Sequence, residues 1–192
     1  MQYILYLHGF HSSPNSEKAA IFKHQIQQCF PEVQVIAPQL PCRPQGLEKL
    51  LNDLCNQYSF VGVVGSSLGG YLATYLHNRM KIPAVVVNPA VKPYELLSDY
   101  IGAQTHPITG EQYELTEHDM LLLKTLDSEK IAEPNAVWLL QQEQDEVLDY
   151  RQALSKYRDC RITFELGGCH GFDSFERFPI EIVKFLTKQS DE

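Results

Sequence analysis

Residues 62–71 read GVVGSSLGGY, a run of glycine and serine that follows an apolar stretch, FVGVVG (60–65), and opens a helical pattern, LGGYLATYLHNRM (68–80). Three readings compete for such a strand-to-helix junction. A phosphate-cradling Walker A loop requires a lysine after its glycines, and Tyr71 stands after Gly70 instead. A dinucleotide fingerprint requires GxGxxG, which GVVGSSLGG does not contain. The remaining pattern is GxSxG, formed by Gly65, Ser66, Ser67, Leu68 and Gly69. As a bare pattern it arises by chance, so its strand and helix flanks are what give it meaning. A sharp turn between a strand and a helix strains its central residue and brings the two backbones together. Glycine at 65 and 69 removes the β-carbons that would collide. Ser67 then projects its hydroxyl from the tip at a helix N-terminus, where free N–H groups and the helix dipole favour negative charge. The Leu68 N–H stands where an oxyanion forms.

The rest of the chain supplies the sheet that this junction needs. YILYL (3–7), VQVIA (33–37), AVVVN (84–88), AVWLLQ (136–141) and RITFEL (161–166) join FVGVVG as strand candidates. Most are apolar nearly throughout, as strands buried on both faces must be. Helical patterns fall near 16–30, 45–58, 68–80, 116–127, 147–158 and 175–187. The alternation predicts one α/β domain over 1–192, with about six mostly parallel strands and helices on both faces. Sites in such sheets lie at the strand C-termini. One segment breaks the rhythm. From Pro89 to Pro134 the chain makes an excursion carrying NPAVKPYE and THPITGEQYEL, and a connection this long predicts a lid or cap containing some helix of its own.

Composition removes several function classes. In 192 residues, 44% are hydrophobic, and 16 basic against 24 acidic residues give a net charge of -8. This describes a compact globule without a Lys/Arg cluster able to follow a phosphate backbone, so no nucleic-acid partner is expected. Met1 leads straight into QYILYLHGF, with no basic n-region, and no apolar run reaches membrane-spanning length. A soluble, cytoplasmic protein is expected. The five cysteines, an odd number without a CxxC motif, read as reduced thiols.

A serine hydroxyl becomes a nucleophile only beside a histidine base that a carboxylate orients. With a GxSxG serine the chain order is serine, acid, histidine. After AVWLLQ comes QEQDEVLDY, which puts Asp145 in a loop at a strand C-terminus. After RITFEL comes GGCHGF, which puts His170 in the next such loop. Glu143 and Glu146 flank Asp145 and are rivals for the acid, since a small loop shift could hand either the orienting role, while Asp149 belongs to the following helix. His8 and His11 lie upstream of the serine. His24, His77, His106 and His118 fall in helices or the excursion, where a solvated surface role is expected. Cys169 reads as a small filler in a tight loop. The second oxyanion donor is expected after the first strand, in LHGFHSSP, from the Phe10 N–H. Gly9 lets the chain turn there, and His8 holds the loop by hydrogen bonding. His8, His11 and His170 lack a metal-ligand spacing, so neither metal nor cofactor is expected.

At this point the residues resemble a known family. YLHGFHSSPNSEKA, PQLP, GSSLGGY, VVVNPAVKPYELL, TGEQY, WLLQQEQDEVLDYRQAL and GGCHGF, in this order along almost the whole chain, are similar to the small bacterial YqiA-type esterases of the α/β-hydrolase superfamily. The resemblance implies a cytoplasmic serine esterase with Ser67, Asp145 and His170 at the triad positions. Relatives more often carry a polar residue and an alanine around the histidine, where this chain has Cys169 and Gly171, and that departure concerns the shape of the pocket. With the first strand candidate already leading into the oxyanion loop, the superfamily's usual N-terminal hairpin is expected to be missing and the sheet to be a minimal one. The expected substrate is a small-molecule acyl ester. Two alternatives stand beside it: an acyl thioester cleaved by the same triad, and a non-catalytic hydrolase-fold binding protein, whose mark would be a lost triad member.

Overall fold

The computed structural model describes residues 1–188. Six strands, β1 (Gln2–Leu7), β2 (Val33–Ile36), β3 (Phe60–Ser66), β4 (Ala84–Val87), β7 (Val137–Gln142) and β8 (Arg161–Glu165), form one sheet in the order β2-β1-β3-β4-β7-β8. Every pairing in it is parallel. Helices α1 (Glu17–Cys29), α2 (Leu47–Gln57), α3 (Leu68–Met80), α6 (Tyr150–Lys156) and α7 (Pro179–Thr187) cover its two faces.

The period-two alternation of the strands builds two cores at once. Ile4, Tyr6, Val64, Val85, Val87, Trp138 and Leu140 point to one face, where Phe22 and Ile26 of α1 and Ile182, Val183 and Leu186 of α7 close over them. Leu5, Leu7, Val63, Val86 and Leu139 point to the other, against Leu51 of α2, Leu72 and Leu76 of α3 and Ala153 of α6. Each large aliphatic side chain taken fully out of water stabilises the fold by roughly 1.5–3 kcal/mol. A one-residue register slip would therefore exchange both cores.

The excursion holds more structure than its sequence suggests. It contains a short helix α4 (Pro93–Leu96), an antiparallel hairpin of β5 (Gly102–Thr105) and β6 (Gln112–Leu115), and a helix α5 (Glu117–Thr125). The hairpin escapes a sequence reading because its strands are only four residues each, with Leu115 the one buried member. Thr116 and Asp119 close a reciprocal capping box at the start of α5. Asp119 also pairs with Arg43 at 3.1 Å, which ties the excursion to the segment before α2.

Two histidines correct the sequence reading. His24 and His118 are exposed, but His77 and His106 are buried. His77 bonds the Ile82 carbonyl through Nδ1 at 2.8 Å and accepts from the Glu133 N–H at 3.3 Å, so it joins the end of α3 to the chain before β7. His106 accepts from the N–H groups of Ile108 and Thr109 at 3.2 and 3.1 Å and shapes the hairpin loop. In both, the hydrogen bonds that a solvated ring would make to water are made to backbone. Among the described residues no helix is long and apolar enough to cross a membrane.

Candidate active site

The junction between β3 and α3 is built by close backbone approach. Ser67 has φ 55° and ψ -119°, a strained positive-φ conformation for a residue with a β-carbon. It is held there because its N–H donates to Val87 O at 3.1 Å and its carbonyl accepts from Gly70 and Ala90 N–H groups at 2.9 and 3.0 Å. A β-carbon on Gly65 would strike the Gly69 carbonyl, and one on Gly69 would strike the Leu7 carbonyl. The two glycines thus set how near α3 comes to β3 and β1. The Ser67 side chain caps no N–H of α3, so its hydroxyl is left to point from the turn.

The other half of the site is built by side-chain hydrogen bonds. Asp145, directly after β7, has a side chain fully shielded from solvent, and both its oxygens lie 2.9 Å from His170 Nδ1. Oδ1 also accepts from the Val147 and Leu148 N–H groups at 2.9 and 2.8 Å, fixing the carboxylate from behind. These bonds hold Val147 and Leu148 in the loop, and α6, capped by Asp149, begins at Tyr150 and not at the 147 that periodicity suggests. The rival acids stand elsewhere. Glu146 accepts from the His170 backbone N–H at 2.9 Å, Glu143 approaches the Gly167 N–H at 3.4 Å, and Asp149 caps α6 through Arg151 N–H at 3.0 Å. The bond from His170 N–H holds the Glu146 carboxyl below its usual range.

Two buried residues that sequence reasoning passed over carry the His170 loop. Asn88, fully buried at the end of β4 with φ 39°, donates from Nδ2 to the carbonyls of Cys169 and His170 at 2.9 and 3.1 Å. Its Oδ1 accepts from Gln142 N–H at 3.0 Å. Gln142 accepts through Oε1 from the N–H groups of Cys169 and Asp173 at 3.2 and 2.8 Å. It donates through Nε2 to the Asp173 carbonyl and Glu165 at 3.0 and 2.9 Å. Gly168, at φ 80°, packs so closely on Gln142 that a β-carbon would overlap the amide. The available signal was an asparagine and a glutamine closing strands that are otherwise apolar and buried. Ala90 bonds the Ser67 carbonyl while Asn88 bonds the His170 carbonyl, so the end of β4 bridges the two halves.

The loop after β1 lies against the junction, where a β-carbon on Gly9 would come 3.3 Å from Ser67 Cβ. The N–H groups of Phe10 and Leu68 have no hydrogen-bond partner among the described residues. His8 is buried and accepts from the Leu40 N–H at 3.1 Å while its Nδ1 bonds the Gly9 carbonyl at 2.8 Å. His11 stacks on the Phe10 ring at 3.9 Å and bonds Tyr113 of β6 at 2.6 Å. Burial lowers the pKa of both histidines and His106 nearby lowers them further, while the bond to the Gly9 carbonyl partly offsets this in His8. A cavity of about 20 Å³ beside Phe10 and Leu68 is walled by Leu40, Leu97, Leu115 and Leu123. A much larger groove, about 1040 Å³, lies between the excursion and α6 and contains none of Ser67, Asp145 and His170. The Cys169 thiol donates to Asp173 at 3.1 Å, and that bond raises its pKa, which keeps it from acting as a thiolate.

Among solved structures, Est1E from Butyrivibrio proteoclasticus aligns with a TM-score of 0.72 at 16% identity, over 98% of this chain and 88% of that one. Alpha/beta hydrolase domain-containing protein 10 from mouse aligns at 0.72 and 17% identity, over 98% of this chain and 90% of its own. A monoacylglycerol lipase from Paleococcus ferrophilus aligns at 0.71 and 14% identity, covering 98% and 95% respectively. At these identities the likeness is one of fold, and the fold is that of the α/β hydrolases. A family model described as "Uncharacterised protein family (UPF0227)" matches residues 3–187, and the chain belongs to this family, the YqiA-type family that its motifs resemble.

Proposed function

We propose that the protein is a serine hydrolase of carboxylic esters that works through Ser67, His170 and Asp145. The observation that carries this reading is Ser67 at φ 55° on the β3–α3 turn, with an Asp145–His170 pair at 2.9 Å on loops of the same sheet edge. Asp145 takes the Nδ1 proton and so fixes the tautomer in which Nε2 is the base. His170 Nε2 removes the Ser67 proton as Oγ attacks the ester carbonyl, and the oxyanion is received by the Phe10 and Leu68 N–H groups. A donor of this kind contributes about 10²–10³ in kcat. The tetrahedral adduct collapses, the C–O bond to the alcohol breaks, and His170 returns the proton to the leaving oxygen. Water then gives a proton to His170 and its oxygen to the acyl carbon; the bond from that carbon to Ser67 Oγ breaks and His170 returns the proton to Oγ, which frees the acid and regenerates Ser67.

The excursion, 89–134, acts as a cap in this reading. Tyr113 holds His11, and Tyr100 meets the Phe10 ring edge-on with centroids 5.6 Å apart, so both brace the oxyanion loop. The apolar cavity beside Phe10 and Leu68, at about 20 Å³, has room for little more than one water, so an acyl group enters it only if the cap moves away from the loop after β1.

A thioester would pass through the same steps, and one observation favours keeping it as a second reading. The large groove gathers Lys92, Lys124, Lys130, Arg151, Lys156 and Arg158 against three acidic residues, on a chain whose net charge is -8. Such a groove suits a phosphate-bearing leaving group. Comparing kcat/KM for a p-nitrophenyl ester and an acyl-CoA of the same acyl length at rising salt separates the two readings. A salt-sensitive advantage for the thioester supports the second. For the main reading, Ser67→Ala is expected to lower kcat on p-nitrophenyl acetate by about 10³-fold or more, with Ser66→Ala within a few-fold of wild type. Wild-type protein that turns over neither substrate would contradict hydrolysis and favour a binding protein.

A further inference from the structure

The two edges of the sheet are finished differently. Strand β2 is four residues long, is flanked by Pro31 and Pro38, and exposes only Gln34. Proline and brevity are common devices against edge-to-edge pairing. Strand β8 carries no proline and leaves Ile162 and Phe164 37% and 38% exposed, with Leu166 at 80% just beyond it and Val147 at 57% in the loop before α6. Among the described residues no strand pairs with its outer side.

The direction of the free backbone groups follows from the inner pairing. The Glu165 carbonyl accepts from Glu143 N–H and the Gly167 carbonyl from Gln144 N–H, so odd-numbered residues of β8 face β7. The N–H and C=O groups of Ile162 and Phe164 then face outward. An antiparallel partner must match outward residues with outward residues. When RITFE is laid against a second copy of itself about an axis at Thr163, Ile162 meets Phe164 and forms a hydrogen-bonded pair on each side of the axis. The same register puts Arg161, whose guanidinium lies over the Trp138 ring at 3.8 Å, opposite Glu165 of the second copy, twice and on one face; Glu165 already pairs with Arg177 of its own chain at 2.9 Å, so the new contact extends an existing ion pair. It puts Ile162 and Phe164 together on the other face, where Tyr150 already stacks on Phe164 with ring centroids 5.4 Å apart. The strand is thus complementary to itself in charge, in apolar surface and in hydrogen-bond phase.

We propose that β8 is a homodimer surface, through which two copies of this chain pair antiparallel about Thr163 and join their six-stranded sheets into one. This inference does not rest on the esterase reading.

Sedimentation velocity from low micromolar to sub-millimolar protein tests it. The wild type is expected to be dimeric. Ile162→Pro deletes an outward N–H that β7 does not use, a substitution edge strands tolerate, and is expected to weaken the dimer about tenfold or more. Thr163→Cys tests the register separately. In this pairing the two Thr163 residues form a non-hydrogen-bonded pair with Cα atoms about 4.5 Å apart, a disulfide-compatible separation. Mild oxidation is expected to yield a covalent dimer from Thr163→Cys beyond the wild-type background, and none from Arg161→Cys. A chain that stays monomeric throughout, a dimer that a natively folded Ile162→Pro leaves intact, or Thr163→Cys that cross-links no better than wild type would each overturn the proposal.

Discussion

The serine side and the histidine side of the candidate site sit at the same sheet edge, yet they are positioned by opposite means. The serine side is steric. Gly65 and Gly69 let backbone touch backbone, and Ser67 takes φ 55° because the strand and helix on either side leave it no other course. The histidine side is polar. Asn88 and Gln142 reach the loop of His170 with buried amides that bond five of its backbone groups, from Cys169, His170 and Asp173. Steric positioning is local in sequence, while amide positioning acts across long chain separations.

That difference explains what could be read from the chain alone. The GxSxG spacing is legible because every residue it needs lies within five positions. The parallel sheet is legible for a similar reason, since a strand buried on both faces must be apolar throughout. The roles of Asn88 and Gln142 were hidden because their partners are fixed only when β4, β7 and the loop after β8 come together. His77 and His106 were misplaced on the surface for the same cause: their buried rings are satisfied by backbone groups that only the fold supplies. The β5–β6 hairpin escaped notice because each strand is only four residues long and Leu115 alone is buried, too short a run for its alternation to stand out, while Tyr113 reaches across to His11.

If the serine side is steric, one methyl group should break it. Gly69→Ala places a β-carbon against the Leu7 carbonyl, backbone that cannot swing away. The expected loss is about 3 kcal/mol, or roughly 6–12 °C in Tm, measured by thermal denaturation. A variant that melts with wild type would remove the close-approach account.

If the histidine side is polar, deleting an amide should cost activity as well as stability. Asn88→Ala removes three hydrogen bonds and is expected to cost about 2 kcal/mol and to lower kcat on p-nitrophenyl acetate by about tenfold or more, with KM little changed. Asn88→Gly relieves the positive φ and should recover about 1 kcal/mol of stability without recovering kcat. Recovery of both would mean that backbone strain, and not the amide, sets the loop. Gln142→Leu keeps the bulk but strands the Cys169 and Asp173 N–H groups, for an expected loss of about 1–2 kcal/mol by chemical denaturation. A smaller effect than Asn88→Ala on kcat is expected, since its bonds reach the residues flanking His170 and not His170 itself.

The gentlest perturbation is pH. His8, His11 and His77 have pKa values lowered chiefly by burial. The unfolded chain binds their protons more tightly than the folded one, so their neutral forms stabilise the fold fully above about pH 6.5 and that contribution is lost as pH falls through the lowered folded values. Tm is expected to be flat from pH 8 to 7 and to decline below about pH 6.5, less steeply in His77→Gln. A Tm that rises over that interval would contradict the burial of these rings.

The claim that the steric turn presents a nucleophile is tested most directly by intact-mass analysis after reaction with a fluorophosphonate, followed by peptide mapping. The account predicts a single adduct, on Ser67 and absent from Ser67→Ala, whose formation slows in Asn88→Ala as the histidine loop loses its hold. Folded wild-type protein that takes up no phosphonate, or an adduct on Ser66 that persists in Ser67→Ala, would contradict it.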